Sequence, residues 1–131
     1  MRLLLDTSVF LWCLSNSPRL GRKARRAIAA PDSEVWVSAA SAWEIAIKAA
    51  AGRPVYARSP EQWLMVELEH NRFRPLPISV EHALAVATLP PRHGDPFDRL
   101  IIAQGRVEGL TIVTADENFE AYEVKLIDAT A

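Results

Sequence analysis

The sequence predicts an α/β fold, a three-layer sandwich in which helices cover both faces of a mainly parallel central sheet of four to five strands. Three observations predict it. Short apolar runs such as Leu3-Leu4-Leu5 and Leu110-Thr111-Ile112-Val113-Thr114 are too brief for independent helices and suit strands buried on both faces. These runs alternate with longer stretches of helical character. Cap residues and prolines stand where those helices would begin.

Residues 2–6 read as the first strand, and Asp6-Thr7-Ser8 caps a helix over about 8–15 that is broken by Asn16-Ser17-Pro18. A basic helix over about 21–30 ends before Pro31. Glu34-Val35-Trp36-Val37 is the second strand, with Ser38 as its exit, and the alanine-rich stretch 39–51 is a helix stopped by Gly52 and Pro54. Ser59-Pro60-Glu61 opens a helix over 60–70 as cap, first-position proline and acidic first turn. Arg74-Pro75-Leu76-Pro77-Ile78 is extended, and prolines that cannot donate to a ladder suit an edge strand. A helix over about 80–87, a loop over 89–95 and a helix over 96–108 ended by Gly109 follow. A strand over 110–114, a short helix over 116–121 and a last strand over 123–127 complete the chain. No repeat, low-complexity tract or linker divides it, so residues 1–131 are expected to form one domain.

Half the residues are hydrophobic and 24% are charged, an ordinary globular balance. The net charge of −1 gives no sign of a nucleic-acid partner, so any such argument rests on where the charges lie. The single cysteine, Cys13, lies in an apolar stretch and reads as a buried structural thiol. With no signal-peptide pattern and no apolar stretch of spanning length, the expectation is a cytoplasmic protein with no membrane association.

Four acids fall where such a fold gathers them. Asp6 ends the first strand, Asp116 follows the 110–114 strand, and Glu44 and Asp98 lie in the first turns of helices. Strand carboxyl ends and helix starts share one edge of a parallel sheet, the edge where ligands of open α/β sheets bind. Each acid also has a capping explanation. Asp6 and Asp116 precede helices, Ser41-Ala42-Trp43-Glu44 has the form of a capping box, and Asp95-Pro96-Phe97-Asp98 places Asp95 as cap. Apolar neighbours set Glu44 and Asp98 beside the core, where a carboxylate needs a partner. Arg99 and Lys48 are each placed to serve one acid, whereas a shared Mg²⁺ or Mn²⁺ would satisfy several.

The blocks Leu3-Leu4-Leu5-Asp6-Thr7-Ser8, Ser41-Ala42-Trp43-Glu44-Ile45, His93 through Gln104 with its Asp-Pro-Phe-Asp-Arg core, and Thr114-Ala115-Asp116-Glu117-Asn118-Phe119 resemble the successive motifs of the PIN-domain family. They look most like the VapC-type toxin ribonucleases of VapBC toxin–antitoxin pairs. The resemblance runs in order over nearly the whole chain. It implies the PIN-like sandwich and metal-dependent hydrolysis of RNA phosphodiesters by the toxin of a type II pair. It further implies a homodimer bound by a cognate VapB-like antitoxin. Carried over residue by residue, Asp6, Glu44, Asp98 and Asp116 match the family's acidic positions, and Thr7 and Thr114 match hydroxyl positions near the metal and substrate. Asp6 and Asp98 are the expected direct ligands of Mg²⁺ or Mn²⁺. Asp116 binds directly or through water, and Glu44 binds metal or orients the attacking water; both choices stay open, as does one ion against two.

The basic segment that carries Arg22, Arg25 and Arg26 has two readings, contact with RNA phosphates or a solvated helix face. Trp12, Trp43 and Trp63 lie on apolar helical stripes and read as core or interface anchors. The three histidines have no ligand spacing, and His93 reads as an ordinary surface residue. A non-catalytic PIN-like binding module is the competing reading, and intact acidic positions argue against it. No Asp-x-Asp follows the first strand and no nucleotide-binding glycine loop is present, which disfavours other α/β phosphoryl-transfer classes.

Overall fold

Residues 1–92 and 94–131 are described by the computed structural model. In chain order the elements are β1 (Arg2–Leu5), α1 (Thr7–Ser15), α2 (Arg22–Ala29), β2 (Glu34–Ser38), α3 (Ala39–Ala50), α4 (Pro60–His70), β3 (Arg74–Leu76), α5 (Val80–Ala85), α6 (Pro96–Glu108), β4 (Thr111–Thr114) and β5 (Leu126–Asp128). Short 3₁₀ turns occupy Val86–Thr88 and Glu117–Ala121.

The five strands lie in the order β3-β2-β1-β4-β5, and every pairing is parallel. Leu5 pairs with Val37 on one side and Val113 on the other, so β1 is the innermost strand. Alternation along each strand sends neighbours to opposite faces. Leu3, Leu5, Val35, Val37 and Val113 join α1, α2 and α4 in one core, where Phe10 and Trp63 are the largest buried side chains. Leu4 and Ile112 face the other way into a second core with Ile101, Ile102, Leu110 and Phe119. The chain builds outward from β1 to β3, then returns to the far side of β1. Crossovers of one hand must change face at that reversal, which puts α6 opposite α1.

Several boundaries differ from the sequence expectation. The last strand is Leu126–Asp128, not 123–127, because Val124 N–H turns back to Tyr122 O and pairing with β4 begins only where Ile112 N–H reaches Lys125 O. The helix expected over 116–121 is a 3₁₀ turn capped by Asp116, and the helix expected over 80–87 passes into a 3₁₀ turn at Val86. The Ser41/Glu44 capping box does not form. Ser38 leaves β2 and caps α3 at once, its hydroxyl accepting from Ala40 N–H at 2.9 Å, which puts Ser41 inside the helix. The short edge strand β3 includes Pro75.

Candidate functional site

The carboxyl ends of β1 and β4 are adjacent, and the chain's direction across the sheet reverses there, so this is its topological switch point. A cleft of about 320 Å³ opens beside it. Its walls are Asp6, Thr7, Ser8, Leu11, Trp12, Glu44, Lys48, Asp95, Asp98, Ala115 and Asp116. The four acids singled out in the sequence therefore share one cleft, together with Asp95.

Capping and convergence turn out to be compatible roles. Asp6 ends β1 and caps α1, with Oδ1 accepting from Val9 N–H at 2.8 Å. Its Oδ2 accepts from Thr114 Oγ1 at 2.6 Å, and that hydroxyl oxygen accepts from Asp116 N–H at 3.0 Å. Asp116 in turn caps the following turn through Asn118 N–H at 2.9 Å. One chain of hydrogen bonds thus ties the ends of β1 and β4 together and aims both carboxylates. Asp95 Oδ1 accepts from the amides of Phe97 and Asp98 at 2.9 and 3.1 Å, which fixes the first turn of α6 where Asp98 stands. On α3, Ser41 Oγ lies 2.8 Å from Thr7 Oγ1, and Glu44 directly follows Trp43, whose ring packs edge-on against Phe97.

Burial makes Asp6 electrostatically special. It is 5% exposed, and desolvation pushes its carboxyl above the ordinary value. Hydrogen bonds from Thr114 and Val9 oppose that rise, while the negative charges of Asp116 and Glu44 add to it. Five carboxylates and the hydroxyls of Thr7 and Ser8 form an all-oxygen donor set, which suits a hard divalent cation and not a soft one. Among the described residues no three acidic, histidine or cysteine side chains are already gathered closely enough to hold an ion. The donor chemistry fits, and closure of a ligand shell would need side-chain rotation.

Other sequence candidates lie elsewhere. Arg22 and Arg26 are exposed on α2, which packs against the end of the chain through Lys23 N–H to Ala131 O. Arg25 is bound to Leu20 O, Asn16 Oδ1 and Ser17 O, bracing the loop before α2. None of the three lines the acidic cleft. His93 lies outside the described residues. Arg99 turns away from the acids and holds the carbonyls of Val86, Leu89 and Pro90 together with Tyr122 Oη. Lys48 does take an acid, with Nζ 3.0 Å from Glu44 Oε2. Trp63 is buried in the core, Trp43 is 56% exposed, and Trp12 forms a cleft wall. Ser8 and Leu11 were not singled out from the sequence as site residues, and Ser41 was read there only as a helix cap. Only the meeting of α1 with α3 and β4 brings them to the site.

An α/β sandwich with an acid-lined cleft at its switch point defines a class of protein suited to holding divalent metal against an anionic ligand. The chain belongs to the PIN domain family, whose pattern matches residues 3–125. It is 36% identical over 119 residues to ribonuclease VapC22 of Mycobacterium tuberculosis, covering 91% of this chain and 90% of that protein. Its fold is similar to VapBC2 from Rickettsia felis bound to a promoter DNA fragment, with TM-score 0.72, 14% identity and coverage of 97% and 98%. It is also similar to VapBC-1 from nontypeable Haemophilus influenzae, with TM-score 0.71, 20% identity and both chains covered in full. The two structural likenesses bear on the fold.

Proposed function

We propose that the protein is a divalent-metal-dependent endoribonuclease of the VapC kind, the toxin of a type II toxin–antitoxin pair. The observation that carries this reading is the gathering of Asp6, Glu44, Asp98 and Asp116 into one cleft at the switch point. The 36% identity to a ribonuclease over nearly the full chain supports it. Asp6 and Asp98 would hold the ion, Mg²⁺ or Mn²⁺, with Asp116 binding it directly or through water. Glu44 holds metal or orients the attacking water. When bound, the ion supplies the positive charge that polarises the RNA phosphate and lowers the pKa of the attacking water. The chain's own part is positioning. Thr114 and the Val9 amide fix Asp6 before substrate arrives, and the Asp95 cap fixes the turn that presents Asp98. Thr7 lines the cleft with its hydroxyl 2.8 Å from Ser41 Oγ, and its proposed role is contact with substrate.

The same proposal includes a homodimer and a cognate VapB-like antitoxin as partners. No helix among the described residues is long and apolar enough to cross a membrane. The proposed site of action is the cytoplasm.

RNA cleavage assays with Mg²⁺ or Mn²⁺, and with chelator, test the reading. Asp6→Asn and Asp98→Asn are expected to lower cleavage by orders of magnitude while circular dichroism stays unchanged. Full cleavage by protein shown to be metal-free would exclude the mechanism.

A further inference from the structure

Lys48 is the one basic side chain among the described residues that line the acidic cleft. It stands one helical turn past Glu44 on α3, with its Nζ 3.0 Å from Glu44 Oε2. The two side chains differ in exposure, 13% for Glu44 and 50% for Lys48. The carboxylate therefore sits inward, and the ammonium stands on its solvent side at the mouth of the cleft. Against five carboxylates one ammonium leaves a surplus of negative charge, which repels an approaching phosphate. The cleft lining also includes Leu11 and Trp12, which carry no charge.

An i,i+4 glutamate–lysine pair is common on solvated helix faces and holds its partners weakly. That weakness lets the ammonium exchange one anion for another at little cost. Location distinguishes this pair, because its acid is one of the four that converge and its cation faces the path into them. We propose that Lys48 is a phosphate-binding residue for RNA. Its ammonium rests on Glu44 in the substrate-free protein and moves to a non-bridging oxygen of a phosphate next to the scissile one as the strand enters. The exchange also frees Glu44 for its work in the cleft. This inference rests on the ribonuclease reading above.

The experiment uses a fluorescent single-stranded RNA that the wild-type protein is first shown to cleave. Lys48→Met and Lys48→Arg are compared with wild type for kcat and KM in Mg²⁺, and for equilibrium affinity in Ca²⁺ across salt concentrations. Lys48→Met is expected to raise KM roughly tenfold, the worth of one charge-assisted hydrogen bond, with a smaller change in kcat. The slope of log affinity against log salt should fall by about 0.7, as for one lost phosphate contact on a single strand. Lys48→Arg should recover most of both. A purely structural pair would shift the melting temperature and leave the salt slope alone. An unchanged KM and slope in Lys48→Met, with wild type active, overturns the role of Lys48 and leaves the ribonuclease reading standing. A wild-type protein that cleaves no RNA in Mg²⁺ or Mn²⁺ overturns both.

Discussion

Asp6 terminates a strand, caps a helix and lines the cleft with one carboxyl group, and its position at the innermost strand makes the last role costly. Its proton is held to higher pH in the native protein than in the unfolded chain. Between the ordinary carboxylate value of 3.8 and the raised native value, the folded state binds the extra proton, so stability falls as pH climbs through that window. Above the native value the penalty is complete and constant. Asp6→Asn removes the titration and adds only a pH-independent change in hydrogen bonding. In metal-free protein, the melting temperature of Asp6→Asn relative to wild type should therefore rise as pH climbs above the ordinary carboxylate value of 3.8 and level off once Asp6 is ionised in the native state. A difference that is flat with pH would show that Asp6 is not held against ionisation. At this scale Asp6, Asp98 and Asp116 were legible because each stands at or near the start of an element, where sequence signals are sharpest. Glu44, by contrast, lies in the second turn of α3, behind the cap at Ser38. Thr7 with Ser41 was not legible as a pair: 34 positions separate them, and only packing joins them. Lys48 was visible as a candidate mate but not as a residue of the cleft mouth. Cys13 is half-buried against the core, and burial pushes its thiol up to about 11, in keeping with a structural residue.

Elements were legible where a cap or breaker marked them. Asp95 with Pro96 opens α6, and Gly109 closes it in the left-handed region at φ 67°. The last strand was misplaced because Val124 between Glu123 and Lys125 has the alternation of a strand, yet this segment is spent on the turn before the pairing with β4. Gly105 exposes a second limit of sequence reading. A glycine inside a helix costs about 1 kcal/mol relative to alanine, so propensity alone would favour Gly105→Ala. A Cβ there would meet Ile112 Cδ1 at 2.8 Å and Cγ1 at 2.9 Å, with Val124 close behind. Overpacking of this kind costs about 1–3 kcal/mol. The net expectation for Gly105→Ala is a loss of up to about 2 kcal/mol. Chemical denaturation should show a lower midpoint at unchanged slope. A higher midpoint would mean that the Ile112 side chain swings aside freely and that helix propensity decides.

The whole molecule leaves apolar surface that its two cores do not absorb. Trp63 is 1% exposed, but Trp43 is 56% exposed and Ile47, one turn on, is 44% exposed, both on the helix that carries Glu44. Val80 and Leu84 are exposed at 76% and 69% on α5, while His82 between them is held inward by Glu108 at 2.8 Å. Pairs of large apolar side chains at helical spacing on two separate surfaces suit two separate partners. The α3 surface adjoins the acidic cleft and suits an amphipathic antitoxin segment, whose arginine or lysine would replace metal charge among the carboxylates. Met65 and Val66 of α4 are exposed as well, at 60% and 62%, and α5, whose two side chains are the most exposed of these, is the surface we assign to self-association. Light scattering after size exclusion at micromolar concentration should give twice the chain mass for wild type, and the single-chain mass for Val80→Asp with Leu84→Asp. A strict wild-type monomer would defeat the dimer. Co-expression with the product of the adjacent gene tests the other surface: a cognate antitoxin should co-purify with wild type and with the α5 variant, and lose affinity for Trp43→Asp. If that neighbour neither co-purifies nor relieves growth inhibition, the toxin–antitoxin assignment fails, while the metal-dependent nuclease reading stands on the acidic cleft alone.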